Sequence, residues 1–168
     1  MLEKTGVPEP EQVKKITPSE ERFQKGPVAV VECFQNIPCD PCRYACRQGA
    51  IKEFEDINDL PVIDHELCNG CGLCISECPG LAVFVIDASY SKEEGLVKLP
   101  YEYFPLPGQD EEVTGIDTEG EAVCSARVVK VQNTKALDRT PVVTLAVPLQ
   151  HVMRVRSFLR KGGEEHGR

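Results

Sequence analysis

The spacing of apolar residues predicts short β-strands along much of this chain. Val28–Val31 is an uninterrupted apolar run after a Gly-Pro pair, and Leu81–Ile86 is a second one. Both runs are typical of buried strands, and we expect them to pair with each other. Asp117–Gly120 predicts a hairpin turn with glycine in the left-handed conformation. Four further strands are predicted around that turn: Leu96–Tyr103, Glu112–Ile116, Ala122–Gln132 and Val142–Val147.

The two ends of the chain have different patterns. Residues 1–26 are polar and contain three prolines, which predicts a mostly extended arm. Residues 149–161 combine apolar residues at helical spacing with four basic ones, which predicts a short amphipathic helix. Gly162 and Gly163 then begin a tail that we expect to be flexible.

These patterns predict an α+β protein made of four segments. The extended arm (1–26) precedes a compact cysteine-rich unit (27–90), and a small antiparallel β-barrel or meander (91–148) follows it. A C-terminal helix with its tail completes the chain (149–168). The β segment carries no catalytic constellation, so we expect it to dock or to cover the cysteine-rich unit.

The most informative stretch is Cys68–Pro79, which reads C-N-G-C-G-L-C-I-S-E-C-P. This is the C-x2-C-x2-C-x3-C-P signature of iron–sulfur sites, in which three closely spaced thiolates hold one cluster and the fourth reaches another. Gly70 and Gly72 allow the tight turns that such a loop needs. Tetrahedral zinc is the alternative, but two C-x2-C pairs that share one cysteine suit it poorly.

An earlier set of cysteines repeats this motif. It reads C-x5-C-x2-C-x3-C, and its last three cysteines precede those of the second set by 32 residues each. The first pair is offset by 35, so three residues are inserted within the first loop. The members of this set are Cys33, Cys39, Cys42 and Cys46.

On these motifs, residues 27–90 resemble a bacterial-type ferredoxin with two [4Fe–4S] clusters. The resemblance implies two pseudo-symmetric halves that exchange their fourth ligands. Cluster A would be held by Cys33, Cys39, Cys42 and Cys78. Cluster B would be held by Cys46, Cys68, Cys71 and Cys74. The insertion at Phe34–Pro38 and the presence of Arg47 where the family has proline leave two alternatives at cluster A, a [3Fe–4S] cluster or an unligated Cys33.

Charge and composition narrow the class of protein. The chain has 168 residues, nine cysteines and a net charge of −8, and residues 33–90 carry nine acids against three bases. Such a field disfavours nucleic acid and favours docking to a basic patch on a redox partner; the alternative is that the acidic residues only keep the protein soluble. We expect a soluble, cytoplasmic, metal-binding protein without a membrane span. Cys124, the ninth cysteine, is expected to be an inert buried thiol, with a spare ligand or a redox sensor as alternatives.

No nucleophile elbow, phosphate loop or dinucleotide-binding motif is present, so no catalytic site of its own is predicted. The predicted function is electron transfer within an oxidoreductase complex. The layout resembles small iron–sulfur subunits of multi-subunit, flavin-dependent amino-acid or amine dehydrogenases of the proline and hydroxyproline type. That resemblance implies a hetero-oligomer in which the chain relays single electrons between a flavoprotein dehydrogenase subunit and another redox centre or carrier. A free dicluster carrier and a structural metal module are the alternatives.

Overall fold

The computed structural model describes residues 2–137 and 140–161 of the chain. Its α-helices are α1 (Leu2–Thr5), α2 (Pro10–Ile16), α3 (Glu20–Gln24), α4 (Pro41–Ala45) and α5 (Leu73–Glu77). Two 3-10 helices lie at Lys135–Leu137 and Leu149–His151. The strands are β1 (Val28–Val31), β2 (Val83–Asp87), β3 (Glu94–Pro100), β4 (Glu112–Ile116), β5 (Ala122–Gln132), β6 (Val142–Pro148) and β7 (Ser157–Arg160).

All seven strands form one antiparallel sheet in the order β1-β2-β3-β6-β5-β4-β7. The protein is therefore of mixed α and β structure, but the predicted barrel is wrong, because β1 and β7 are the two edges of an open sheet. Since β2 pairs with β3, the sheet continues from the cysteine-rich segment into the segment that we predicted as a separate β unit. The division into segments itself stays a prediction.

The two faces of the sheet cover two apolar cores. One core contains alternate residues of the central strands, such as Val97, Leu99 and Leu145, and the N-terminal residues Ile16 and Phe23 pack against it. The other core lies on the opposite face and includes most of the cysteines together with Ile75, Val83 and Val85 of the surrounding elements. Because successive side chains of a strand point to opposite faces, β1, β2 and β6 contribute residues to both cores.

Several predicted strands are confirmed. Strand β1 pairs with β2 as expected, from Val28 opposite Ile86 to Val31 opposite Val83. Strands β4 and β5 have the predicted bounds, and β5 pairs with β6. The predicted hairpin turn joins β4 to β5, with Gly120 at a φ of 83°.

The N-terminal segment is helical where we expected it to be mostly extended. Ser19 caps α3 by accepting a hydrogen bond from the backbone N–H of Arg22 at 3.2 Å. The Arg22 side chain is buried within the fold, with only 5% of its surface exposed. Pro10 at the start of α2 is compatible with helical structure, because the first turn needs no hydrogen bond from it.

The predicted C-terminal helix is also wrong. After the 3-10 turn at Leu149–His151, the chain extends and β7 pairs with β4. Strand β7 buries Phe158, whose ring stacks on Tyr101 with centroids 4.6 Å apart, and leaves Leu159 exposed. The tail that we predicted to be flexible, residues 162–168, lies outside the described residues.

The basic residues of this segment are paired within the chain and do not form a free basic face. Each of the four forms an ion pair with an acidic side chain: Arg154 with Asp117, Arg156 with Glu32, Arg160 with Glu111, and Lys161 with Glu112. Three of these acids belong to β4 or its flanking turns, so the pairs hold β7 at the edge of the sheet.

Candidate iron–sulfur centre

Two short helices carry the two cysteine motifs in the same way. Helix α4 contains Cys42 and ends at Cys46, which is its C-cap residue. Helix α5 contains Cys74 and ends at Cys78, again the C-cap. Each cap residue has an extended backbone, so the chain leaves the helix at the cysteine. The last cysteine of each motif is thereby directed away from its own loop.

The backbone relates the two motifs by a pseudo-twofold arrangement. Val31 pairs with Val83, and Ile51 pairs with Ile63 in an isolated bridge. The repeat offset of 32 residues converts Val31 into Ile63 and Ile51 into Val83, so each pair maps onto the other. A symmetric exchange of chain segments between the halves is therefore present in the backbone.

Four thiols interact electrostatically in a first set, which we call set A: Cys33, Cys39, Cys42 and Cys78. Burial, followed by the charges of Cys78, Cys33 and Cys39, raises the pKa of the Cys42 thiol to about 11. Burial followed by interaction with Cys78 raises the pKa of Cys33 as well. The set thus joins three cysteines of the first motif to the last cysteine of the second.

The remaining four thiols form set B: Cys46, Cys68, Cys71 and Cys74. Burial, followed by the charges of Cys68, Cys71 and Cys46, raises the pKa of the Cys74 thiol to about 12. All four cysteines line one cavity, whose apolar wall includes Ala29, Ile51 and Ile63. The tertiary structure therefore brings Cys46 of the first motif to the three closely spaced cysteines of the second.

Backbone amides point at the sulfurs of these sets. Cys68 Sγ accepts hydrogen bonds from the N–H of Ala29 at 3.3 Å and of Gly70 at 3.4 Å. Cys78 Sγ accepts one from the N–H of Ala82 at 3.4 Å. Amide hydrogen bonds to ligating sulfurs are one of the levers by which proteins adjust an iron–sulfur cluster.

The insertion in the first loop is anchored to the connection between the motifs. Asn36 Nδ2 donates to the carbonyl of Asn58 at 2.9 Å, and the N–H of Cys39 donates to the carbonyl of Ile57 at 3.1 Å. The insertion therefore has a defined conformation, and Cys39 is anchored at its end.

Two cationic residues near set B were not identified from the sequence. The Arg22 guanidinium donates to the carbonyls of Gly26, Pro27, His65 and Cys68, and Lys98 Nζ donates to the carbonyl of Gly70 at 3.1 Å. The contacts of Arg22 with His65 and Cys68 and of Lys98 with Gly70 join residues far apart in sequence, and no local motif signals them.

The sets suit a polynuclear cluster by their donor chemistry, because iron–sulfur clusters are held by four Cys thiolates. Across residues 2–137 and 140–161, no three His, Cys, Asp or Glu side chains are grouped for a single metal ion. Cys124 is half-buried and packs against the core on the other face, and burial raises the pKa of its thiol.

Comparison with known proteins shows that part of this site matches a known iron–sulfur binding domain. Residues 61–84, which contain the second motif, match the family model of the 4Fe-4S binding domain. The chain therefore contains a ferredoxin-type [4Fe–4S] binding segment, and the match covers a minor part of its length.

The relatives are pyruvate synthase subunits and a ferredoxin-type protein. The pyruvate synthase subunit PorD of Methanocaldococcus jannaschii is 40% identical over 47 residues, which are 28% of this chain and 52% of PorD. PorD of Methanothermobacter marburgensis is 44% identical over 48 residues, 28% of this chain and 51% of that protein. The ferredoxin-type protein NapF of Escherichia coli K12 is 33% identical over 52 residues, 30% of this chain and 32% of NapF.

This chain spans about half the length of the PorD relatives and about a third of NapF. No solved structure matches it. In the described part of the chain, every helix is too short or too polar to cross a lipid bilayer.

Proposed function

We propose that this protein is an electron-transfer subunit that holds two [4Fe–4S] clusters with exchanged fourth ligands. Cluster A is held by Cys33, Cys39, Cys42 and Cys78. Cluster B is held by Cys46, Cys68, Cys71 and Cys74. Both retain the four-cysteine composition, since the insertion in the first loop leaves Cys33 within set A.

The observation that carries this proposal is the cavity lined by Cys46, Cys68, Cys71 and Cys74, which joins one cysteine of the first motif to three of the second. The interaction of Cys42 with Cys78, Cys33 and Cys39 supports the reciprocal partition in set A. Such a partition gives each set the number of ligands that one cubane requires. The match of residues 61–84 to the 4Fe-4S binding domain supports iron–sulfur clusters as the occupants of these sets.

When bound, each cluster would supply one-electron redox chemistry. The chain's own residues would set the conditions for it. The buried side chains of Ile75, Val83 and Val85 exclude water on the sheet side of the site, and the amides of Ala29 and Ala82 stabilise thiolate charge. The exposed Cys71 marks the side on which a partner can approach cluster B most closely.

We further propose that the partner is a subunit of an oxidoreductase complex. Support comes from the similarity to PorD, a subunit of pyruvate synthase, and from the sheet that extends beyond the cysteine-rich segment. A flavoprotein dehydrogenase subunit is the finer proposal, and it rests on the resemblance of the layout alone.

Iron analysis and ligand substitutions test the clusters. We expect about eight irons and eight sulfides per chain. Cys46→Ser should change the spectroscopic signature of the same cluster as Cys74→Ser, although Cys46 belongs to the first motif. Exchanged ligation is refuted if Cys46→Ser instead alters the cluster that Cys42→Ser alters. Zinc in place of iron would reject the assignment altogether.

Purification of the untagged chain from its native source tests the partner. Co-elution with larger subunits, followed by measurement of bound flavin, supports the flavoprotein proposal. Co-elution without flavin refutes the proposal of a flavoprotein partner and supports the proposal that the chain is a subunit of a complex. A monomer that exchanges electrons freely with soluble donors refutes both and favours a diffusing carrier.

A further inference from the structure

Two cationic side chains hold the backbone of the loop that carries Cys68 and Gly70. Arg22 is buried, and its Nη2 donates to the carbonyl of Cys68 at 2.6 Å. Lys98 is half-buried on β3, and its Nζ donates to the carbonyl of Gly70 at 3.1 Å. Among the described residues, neither cation has a carboxylate partner.

The cation that adjoins a ligand of set A is neutralised: Arg43, next to Cys42, is paired with Glu53. Asp40, which follows Cys39 in the chain, adds a negative charge. Arg156 also forms a buried ion pair, at 2.7 Å with Glu32, but it lies over the ring of Phe84 in the core on the opposite face of the sheet. The charges next to the set A cysteines are therefore compensated or negative.

This difference has an electrostatic consequence. Reduction adds one negative charge to a cluster, and an unpaired cation stabilises that charge more strongly in a protein interior than in water. A cation that is already paired contributes little, because the field of its partner cancels most of its own. The two sites should therefore differ in reduction potential, which depends on net charge and hydrogen bonding around the cluster.

Building on the proposed function, we infer that Arg22 and Lys98 make cluster B the more easily reduced of the two clusters. Cluster B would gain one electron from the redox partner, with no bond formed or broken and no proton transferred. An electron that enters through cluster A would come to rest at cluster B. Both residues are positioning residues, since they act through backbone carbonyls and charge.

A potentiometric titration followed by electron paramagnetic resonance tests this inference on the full chain. Lys98→Gln removes one charge, whereas Lys98→Arg keeps it. We expect Lys98→Gln to lower the higher of the two midpoint potentials. The equilibrium constant for reduction of that cluster should fall at least about tenfold, which corresponds to 59 mV for one electron. Lys98→Arg should stay within about threefold of wild type, and the exposed control Lys14→Gln should match wild type.

Arg22 provides an independent pair of variants. Arg22→Gln should lower the same midpoint, and Arg22→Lys should restore part of the shift, because the charge remains while most of the hydrogen bonds are lost. If Arg22→Gln fails to assemble cluster B, the Lys98 variants decide the question. The inference is overturned if the lower midpoint moves or if neither midpoint responds to the Lys98 substitution.

The wild-type protein separates this inference from the proposed function. About eight irons and two midpoint potentials support two clusters whether or not the variants shift. If two potentials are found and neither changes in the charge variants, the role of Arg22 and Lys98 is refuted and the two-cluster proposal stands. About four irons and one potential refute the two-cluster proposal, and they also refute the inference that cluster B is the more easily reduced of two clusters.

Discussion

Gly70→Ala adds a single methyl group and tests how closely the loop of Cys68 packs against Pro27. It has a φ of 65°, and a Cβ atom added there would lie 2.5, 2.6 and 2.7 Å from Cβ, C and O of Pro27. Two of those atoms are backbone, so the clash cannot be relieved by turning a side chain. The loop would have to move away from β1, and the Gly70 N–H would be drawn away from Cys68 Sγ.

The magnitude follows from comparison with a matched glycine. Gly120 also has a positive φ, 83°, but a Cβ there would meet nothing within 4 Å. Gly120→Ala should therefore cost only the left-handed backbone term, about 1–2 kcal/mol. Gly70→Ala carries the same term plus overpacking of about 1–3 kcal/mol. The expected total is about 2–5 kcal/mol.

Urea unfolding of the cluster-loaded protein, followed by circular dichroism and visible absorbance, measures both variants. We expect Gly70→Ala to be less stable than Gly120→Ala by at least about 1 kcal/mol. It should also lose the iron–sulfur absorbance at lower urea. Equal unfolding free energies within about 0.5 kcal/mol would show that Gly70 does not pack on Pro27 as described.

Three further predictions concern the C-terminal strand and its contacts. Phe158→Ala should cost about 3–5 kcal/mol in thermal or urea unfolding and Leu159→Ala less than about 0.5, because β7 buries only the former; the reverse order would favour the rejected helix. Glu32→Ala strands the buried guanidinium of Arg156 and should cost about 3–5 kcal/mol in urea unfolding, with partial recovery when Arg156→Met is added; an exposed pair would give less than about 1. A hydrogen bond from Arg160 lowers the pKa of Glu111 below its usual 4.5. The contribution of this ion pair to the free energy of unfolding is therefore present above pH 4.5 and is lost as the pH falls below it. Glu111→Gln should flatten the acid limb of the stability curve, and an unchanged limb would contradict that assignment.

Local pattern was sufficient for the features that depend on neighbouring residues. The bounds of β4 and β5, the turn at Gly120 and the presence of β1 were predicted because alternation, turn chemistry and apolar runs are properties of short stretches. The second cysteine motif is also local, and its match to the 4Fe-4S binding domain agrees with the interpretation made from spacing.

The C-terminal segment shows where such reasoning failed. Its apolar and basic residues have helical spacing, but Phe158 and Arg156 find their partners, Tyr101 and Glu32, only when the segment is extended at the edge of the sheet. Tertiary burial outweighed a weak helical preference, as it commonly does for short segments.

By itself, the sequence determined the chemistry of this protein: eight thiols at repeated spacing, an acidic surface around them and short strands on either side. Only the tertiary structure decided that one open sheet runs through the predicted segments and that Arg22 and Lys98 reach the loop of Cys68. The physical reason is distance along the chain. Spacing and propensity act over a few residues, whereas charge and burial act between residues that only the folded chain brings together.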